Sequence, residues 1–150
     1  MADEIVRYCG TDLLCHLAKG PQDLRAKQDA AWSPIREWAG KSLRIMLIPV
    51  EGIMAAPQPE ASLAAARQHA LGLEDFRMTG LSYACGLYGS ALLAFAVERG
   101  EIDGVDAFER TLVDELYQMQ RWGSDEEAEA RIASHRKEAS AVKVWFDSLS

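Results

Sequence analysis

The side chains best suited to nucleophilic or metal chemistry are three cysteines and three histidines: Cys9, Cys15, Cys85, His16, His69 and His135. Zinc sites take such ligands at short, regular spacings, and here only Cys15 and His16 are neighbours, which point apart on a helix. Cys85 lies in the most apolar part of the chain, where burial raises a thiol pKa. The sequence therefore predicts no metal site and no catalytic residue. The alternative is a small helical thiol hydrolase that uses Cys85 or Cys15 with a histidine.

Phosphate chemistry has no more support. The chain contains neither GxxxxGK[ST] nor GxGxxG, the glycine-rich patterns that cradle phosphates between a strand and a helix. It carries 16 basic and 23 acidic residues, a formal net charge of −7. Because nonspecific nucleic-acid binding needs clustered basic charge, no nucleic-acid partner is expected. No cofactor is expected either.

The most distinctive local pattern covers residues 122–129, WGSDEEAE. Ser124 followed three residues later by Glu127 fits a capping box at a helix start, where the helix dipole also favours acidic side chains. One acid is enough for such a cap, yet this stretch supplies four. The surplus predicts either a surface that meets a basic partner or a solvated helix face. The candidate partner-binding residues are Glu115, Trp122, Asp125, Glu126 and Glu127.

The elements that position these residues are mostly helices. Apolar periodicity predicts helices over residues 74–98, 105–122 and 125–149, with Gly100 ending the first and Asp103 capping the second. Pro59 and Gly72 delimit another helix. Earlier in the chain, two helical pieces are expected to meet at Ser33–Pro34 and to end at Gly40. A short strand is expected within residues 43–50.

Residues 78–97 form a run of twenty residues without a charge, long enough in principle to cross a bilayer. Six glycine, serine and threonine residues dilute its hydrophobicity, so a buried central helix is the preferred interpretation. A small-residue seam of Ser82, Gly86 and Ser90 would let a second helix approach it closely. A membrane-associated assembly factor is the alternative.

Five segments, taken in order, resemble a known family. They are TDLLC (residues 11–15), LxxxQxxxWxPxxxW (24–38), GI with PQP (52–53 and 57–59), SALLAFA (90–96) and DELYQxxxWGxDEEA (114–128). Together they are similar to the assembly chaperones of the F1-ATPase alpha subunit, ATP synthase assembly factors of mitochondria and some bacteria. The chain departs from the family pattern at two places. Where the family has an aromatic residue followed by Arg, this chain has His16–Leu17, and where the family has Asp, it has Ser33.

The resemblance implies a mainly α fold, a compact helical bundle. Residues 1–150 are expected to form one helical domain, a shortened form of a two-domain chaperone whose N-terminal β-rich domain has no counterpart here. The implied activity is not enzymatic: an ATP-independent chaperone holds the free F1 alpha subunit and hands it on during assembly. The expected location is the cytoplasm of a bacterium, or the mitochondrial matrix for eukaryotic relatives. Stable membrane insertion is not expected.

Overall fold

The computed structural model describes residues 1–52, 54 and 56–149, and the chain folds mainly into helices. In chain order these are α1 (Ala2–Gly10), α2 (Gln22–Leu43), α3 (Glu60–Leu71), α4 (Asp75–Tyr88), α5 (Ala91–Glu98), α6 (Gly104–Thr111), α7 (Val113–Trp122) and α8 (Glu126–Ser148). A 3-10 turn, Leu13–Cys15, precedes β1 (His16–Leu17), which pairs in parallel with β2 (Val50–Glu51). The predicted mainly α fold is confirmed. Ile53, part of one family-like segment, lies outside the described residues.

The centre of the fold is α5, all eight residues of which are buried. Because it packs against α1, α2, α4, α6 and α8, it needs an apolar surface on every side. The single helix predicted over residues 74–98 is nevertheless wrong. The chain breaks at Gly89, whose φ of 64° is left-handed, and the Ser90 side chain caps α5 by accepting the Leu93 N–H. No helix of the described residues is long and apolar enough to cross a membrane.

Asp12 ties the start of α5 to the N-terminal segment. Its buried carboxylate accepts a hydrogen bond from the Ser90 hydroxyl at 2.6 Å. It also accepts two from backbone N–H groups, those of Leu14 and Leu92, each at 3.0 Å. Burial raises the pKa of Asp12 to about 6, although these hydrogen bonds favour the ionised form. The TDLLC segment therefore joins the 3-10 turn to the central helix.

Pro34 lies inside the unbroken helix α2, so the predicted division at Ser33–Pro34 and the predicted end at Gly40 are both wrong. A proline inside a helix removes a backbone hydrogen bond and costs about 3 kcal/mol. Contacts with α6 support this turn. The buried Trp32 indole N–H donates to the Arg110 carbonyl oxygen at 2.8 Å, and the Arg110 guanidinium donates to the Ala31 carbonyl oxygen at 2.6 Å. Tertiary packing thus outweighs the local effect of the proline.

The segment predicted as a strand, residues 43–50, leaves α2 at Arg44, the residue that caps the end of this helix with a left-handed φ of 61°. Residues 45 and 47 are buried, whereas residues 46 and 48 are exposed. The Ser62 hydroxyl binds both the N–H and the carbonyl oxygen of Met46, and the Gln58 amide does the same for Ile48. Side chains therefore supply the hydrogen bonds that a neighbouring strand would make. Pairing between strands is confined to residues 50–51, which pair with β1.

The helix predicted over residues 105–122 is divided at Leu112 into α6 and α7. Gly100 has the expected left-handed φ, 78°, and Asp103 caps α6 as predicted by accepting the Asp106 N–H at 2.7 Å. The predicted helix over residues 125–149 is confirmed as α8. Its apolar stripe buries Ile132, Ala139, Val142 and Phe146.

Close helix contacts depend on Gly80 and Gly104 instead of the predicted small-residue seam. Gly86 is exposed, and Ser90 belongs to α5 rather than to the helix that carries Ser82. A Cβ atom on Gly104 would overlap the carbonyl oxygen of Ala139 in α8. The prediction of a seam at Ser82, Gly86 and Ser90 is therefore wrong, because the tightest approaches are those that α4 and α6 make to α8.

Candidate partner-binding site

Four of the five predicted partner-binding residues lie where α7 ends and α8 begins: Trp122, Asp125, Glu126 and Glu127. Gly123 turns the chain between the helices with a φ of 83°, a conformation that favours glycine. Asp125, Glu126 and Glu127 are exposed, and the Trp122 side chain is 80% exposed. Glu115 lies two turns before Trp122 on the same face of α7. We call Glu115, Trp122, Asp125, Glu126 and Glu127 the acidic junction.

The start of α8 is capped differently from the sequence prediction. Asp125 is the cap, because its carboxylate accepts the Ala128 N–H at 2.7 Å. The Ser124 hydroxyl instead donates to the Glu129 carboxylate at 2.8 Å. The predicted capping box of Ser124 and Glu127 is therefore wrong, because the cap lies one residue later, at Asp125. As a result, Glu126 and Glu127 extend from the first turn without a capping role.

Ion pairing divides the acidic junction into two parts. Glu115 forms an ion pair with Arg131 of α8, so its charge already has a partner within the chain. The other nearby cation, Arg121, faces Asp23 of α2 at 3.6 Å. Among the described residues, Glu126 and Glu127 have no Lys or Arg within ion-pair distance. The negative charge open to a second protein is therefore concentrated at the first turn of α8.

Polar contacts hold α7 against α2 and so fix the acidic junction. The Tyr117 hydroxyl donates to the Asp23 carboxylate at 2.8 Å, and Arg121 stacks on the Tyr117 ring at 4.7 Å. Burial and this hydrogen bond raise the pKa of Tyr117. The buried Gln28 amide donates to Asp114 at 2.7 Å and accepts the Ala18 N–H at 2.8 Å. Sequence reasoning missed these supports, because a buried glutamine on a helix gives no signal of its distant partners.

This arrangement is suited to recognition of a protein surface. A tryptophan that is largely exposed can be buried by a partner, and tryptophan is enriched among the residues that dominate interface energies. Carboxylates without internal partners favour a basic surface and raise the association rate. The acidic junction therefore combines an exposed tryptophan with carboxylates that have no basic partner in the described chain.

The buried cysteines argue against the alternative thiol hydrolase. Cys9, Cys15 and Cys85 are all buried, and burial raises the pKa of each, to about 12 for Cys15. A thiol is nucleophilic as its thiolate, which these environments disfavour at neutral pH. Within the ranges that the structure describes, no group of three potential ligands is placed to hold a metal ion.

Comparison with known proteins extends the sequence resemblance. Residues 1–40 match the family described as "ATP12 chaperone protein". The fold superposes on Atp12 from Paracoccus denitrificans with a TM-score of 0.93 and 36% identity, and on its D202K mutant with 0.93 and 35%. The fold also superposes on the Atu1473 protein of Agrobacterium tumefaciens with a TM-score of 0.90 and 32% identity.

These matches cover almost all of this chain but not of the other proteins. They include 97%, 97% and 99% of the chain, against 63%, 62% and 56% of the three solved structures. The chain thus spans less than two thirds of the length of each relative. The expectation that residues 1–150 form one helical domain of a two-domain chaperone stays a prediction.

Proposed function

Because the chain belongs to the ATP12 chaperone family, we propose that it is an assembly chaperone that binds the free alpha subunit of F1-ATPase. In this proposal it acts without ATP and without catalysis, and it releases the subunit when the beta subunit takes its place. The expected location is the bacterial cytoplasm, where a newly made alpha subunit is free.

The observation that carries the proposal is the exposed Trp122 beside Glu126 and Glu127, two carboxylates without a basic partner in the described chain. A holding chaperone must bind firmly enough to shield its client and weakly enough to be displaced. Charge that is exposed in the free protein suits this task, since it accelerates encounter without a large desolvation cost.

The test is capture of purified alpha subunit by the immobilised chain at low and high salt. Glu126→Lys with Glu127→Lys should weaken capture at least tenfold at low salt, where charge interactions between the partners are least screened. Trp122→Ala should weaken capture at both salt concentrations, because loss of an apolar anchor does not depend on ionic strength.

A matched control carries the same change of charge away from the acidic junction. Glu37→Lys with Glu101→Lys alters two other exposed carboxylates and should capture the subunit as the parent chain does. Circular dichroism and thermal melting confirm that each variant is folded. Capture by the Glu126→Lys and Glu127→Lys double variant at parental strength in low salt would contradict the proposal.

A further inference from the structure

A groove between α4 and α8 is apolar along most of its length. It encloses about 340 Å³ and opens to solvent. Its lining is chiefly Gly80, Tyr83, Ala141, Val142 and Trp145. The Tyr83 and Trp145 side chains are 52% and 40% exposed, so two aromatic rings border the groove and remain open to contact. Exposed aromatic surface of this kind is characteristic of binding sites.

The groove is already formed in the free protein. A Cβ atom on Gly80 would lie 2.5 Å from Trp145 Cδ1, so the absence of a side chain at residue 80 lets the indole lie against α4. The indole N–H donates to the Phe76 carbonyl oxygen at 3.0 Å, which fixes the ring's orientation. A wall held in place before binding reduces the conformational entropy lost on association.

One end of the groove is acidic. Glu138 lines both the apolar groove and an adjoining depression that also contains Glu4, Tyr83 and His135. The Ser82 hydroxyl donates to Glu4 at 3.3 Å. In the part of the chain that the structure describes, neither Glu4 nor Glu138 forms an ion pair with Lys or Arg. These carboxylates therefore offer two charges to an incoming cation.

The spacing of these features sets the shape of the occupant. Seven residues separate Glu138 from Trp145, which corresponds to about 10 Å along α8. An occupant must therefore place an apolar side chain and a cation about 10 Å apart, which corresponds to two turns of a helix or three residues of an extended chain.

We propose that this groove binds an apolar segment of another protein that carries Lys or Arg about two helical turns from its apolar anchor. The anchor lies between Tyr83 and Trp145, and the cation lies between Glu138 and Glu4. Twelve residues separate Glu126 from Glu138, or about 18 Å along α8, so this site is distinct from the acidic junction. The inference does not depend on the proposed alpha-subunit binding.

Charge distinguishes this occupant from two others. Anionic lipid headgroups would be repelled by Glu4 and Glu138, whereas a cationic segment is attracted. A second copy of the chain would bring a net charge of −7 toward the same carboxylates. A basic, apolar segment of a different protein is therefore the occupant that the groove favours.

Fluorescence polarisation of two labelled peptides tests this proposal with the full chain. Each probe is a 16-residue alanine-based helix with Leu at two positions three residues apart. One peptide carries Lys seven residues beyond the first Leu, and the other carries Glu there. At low salt, the Lys peptide should bind at least tenfold more tightly than the Glu peptide.

Two variants locate the binding. Ala141→Trp fills the groove and Glu138→Lys reverses its charge, so each should weaken binding of the Lys peptide at least tenfold. The matched controls are Ala133→Trp, at an exposed position of α8 outside the lining, and Glu37→Lys on α2. Both controls should bind within twofold of the parent chain, and thermal melting checks the fold of all four variants.

Several results would overturn the proposal. These are equal binding of the two peptides, no binding of either, or unchanged binding by the folded Ala141→Trp and Glu138→Lys variants. Vesicles of phosphatidylcholine and phosphatidylglycerol provide a further comparison. If the chain binds these vesicles and Ala141→Trp abolishes that binding, the occupant of the groove is a lipid surface and not a protein segment. If the chain self-associates in analytical sedimentation and the same variant abolishes this, the occupant is a second copy of the chain. Because the alpha subunit is absent from every arm, failure here leaves the proposed function untouched.

Discussion

A serine and an aspartate lie at the start of both α5 and α8, but in opposite environments. At the start of α5, Ser90 and the Asp12 carboxylate are buried, and the carboxylate accepts three hydrogen bonds. At the start of α8, Ser124 and Asp125 are exposed, and the acids beside them have spare acceptor capacity. The contrast teaches that a serine and an aspartate form a buried hydrogen-bond network where water is excluded, whereas at an exposed helix start the aspartate supplies only a local cap.

Asp12→Ala is the strongest test of this contrast. The substitution leaves three buried donors without an acceptor, and each unsatisfied donor costs about 1–3 kcal/mol. We expect the free energy of unfolding to fall by about 3 kcal/mol or more, measured by urea denaturation. A loss below about 1 kcal/mol would mean that the hydrogen bonds of Asp12 at the start of α5 stabilise the fold no more than an exposed cap does.

The pH dependence of stability should report the same carboxylate. Because the pKa of Asp12 is raised to about 6 in the folded protein from 3.8, the folded state binds more protons between these values. Its contribution to the free energy of unfolding therefore falls as pH rises from about 4 to about 6, by up to about 3 kcal/mol. Asp3 and Asp23, whose pKa values are lowered, act below this range.

Urea titrations of the parent chain and of Asp12→Asn across this pH range measure the effect. The Asn variant should lose this component of the pH dependence, because it has no carboxyl group to titrate. If both proteins show the same slope between pH 4 and pH 6, Asp12 is not the group responsible.

A matched pair of serine substitutions compares the two helix starts directly. Ser90→Ala removes a buried hydroxyl that donates to Asp12 and accepts the Leu93 N–H, so we expect a loss of about 2 kcal/mol. Ser124→Ala removes an exposed hydroxyl that is not the cap, so the loss should be below about 0.5 kcal/mol. Thermal melting of the two variants under one condition gives the comparison, and equal losses would erase the distinction.

A smaller effect than at Asp12 or Ser90 is expected at Asp125. Asp125→Ala removes the exposed cap of α8 and should reduce stability by about 1 kcal/mol. Glu127→Gln is the control, and it should be neutral within about 0.5 kcal/mol because Glu127 has no capping role. A larger loss at Glu127 than at Asp125, measured by urea denaturation, would restore the capping box that the sequence suggested.

Much of the fold could be predicted because its signals are local. The apolar stripe of α8 and the cap at Asp103 follow from spacing within a few residues. The break at Gly89–Ser90 also had a local signal, a glycine that ends one helix followed by a serine that caps the next. The uncharged run around it, apolar enough to suggest one continuous helix, obscured that signal.

Other features depend on contacts between residues far apart in the chain. Pro34 remains inside α2 because Trp32 and Arg110 join that turn to α6, and no spacing rule relates residues 32 and 110. At the acidic junction, exposure follows from polarity, but the pairing of Glu115 with Arg131 depends on how α7 and α8 pack. The sequence therefore predicted an acidic surface without showing which of its charges already have a partner within the chain.

The segment that follows α2 has a consequence for hydrogen exchange. Its Met46 and Ile48 amides are held by the side chains of Ser62 and Gln58, not by a neighbouring strand. Rotation of a single side chain is enough to release either amide to solvent, whereas an amide within a helix needs local unwinding. Deuterium uptake at these two amides should therefore be fast and independent of global unfolding, although the segment has the alternating burial of a strand.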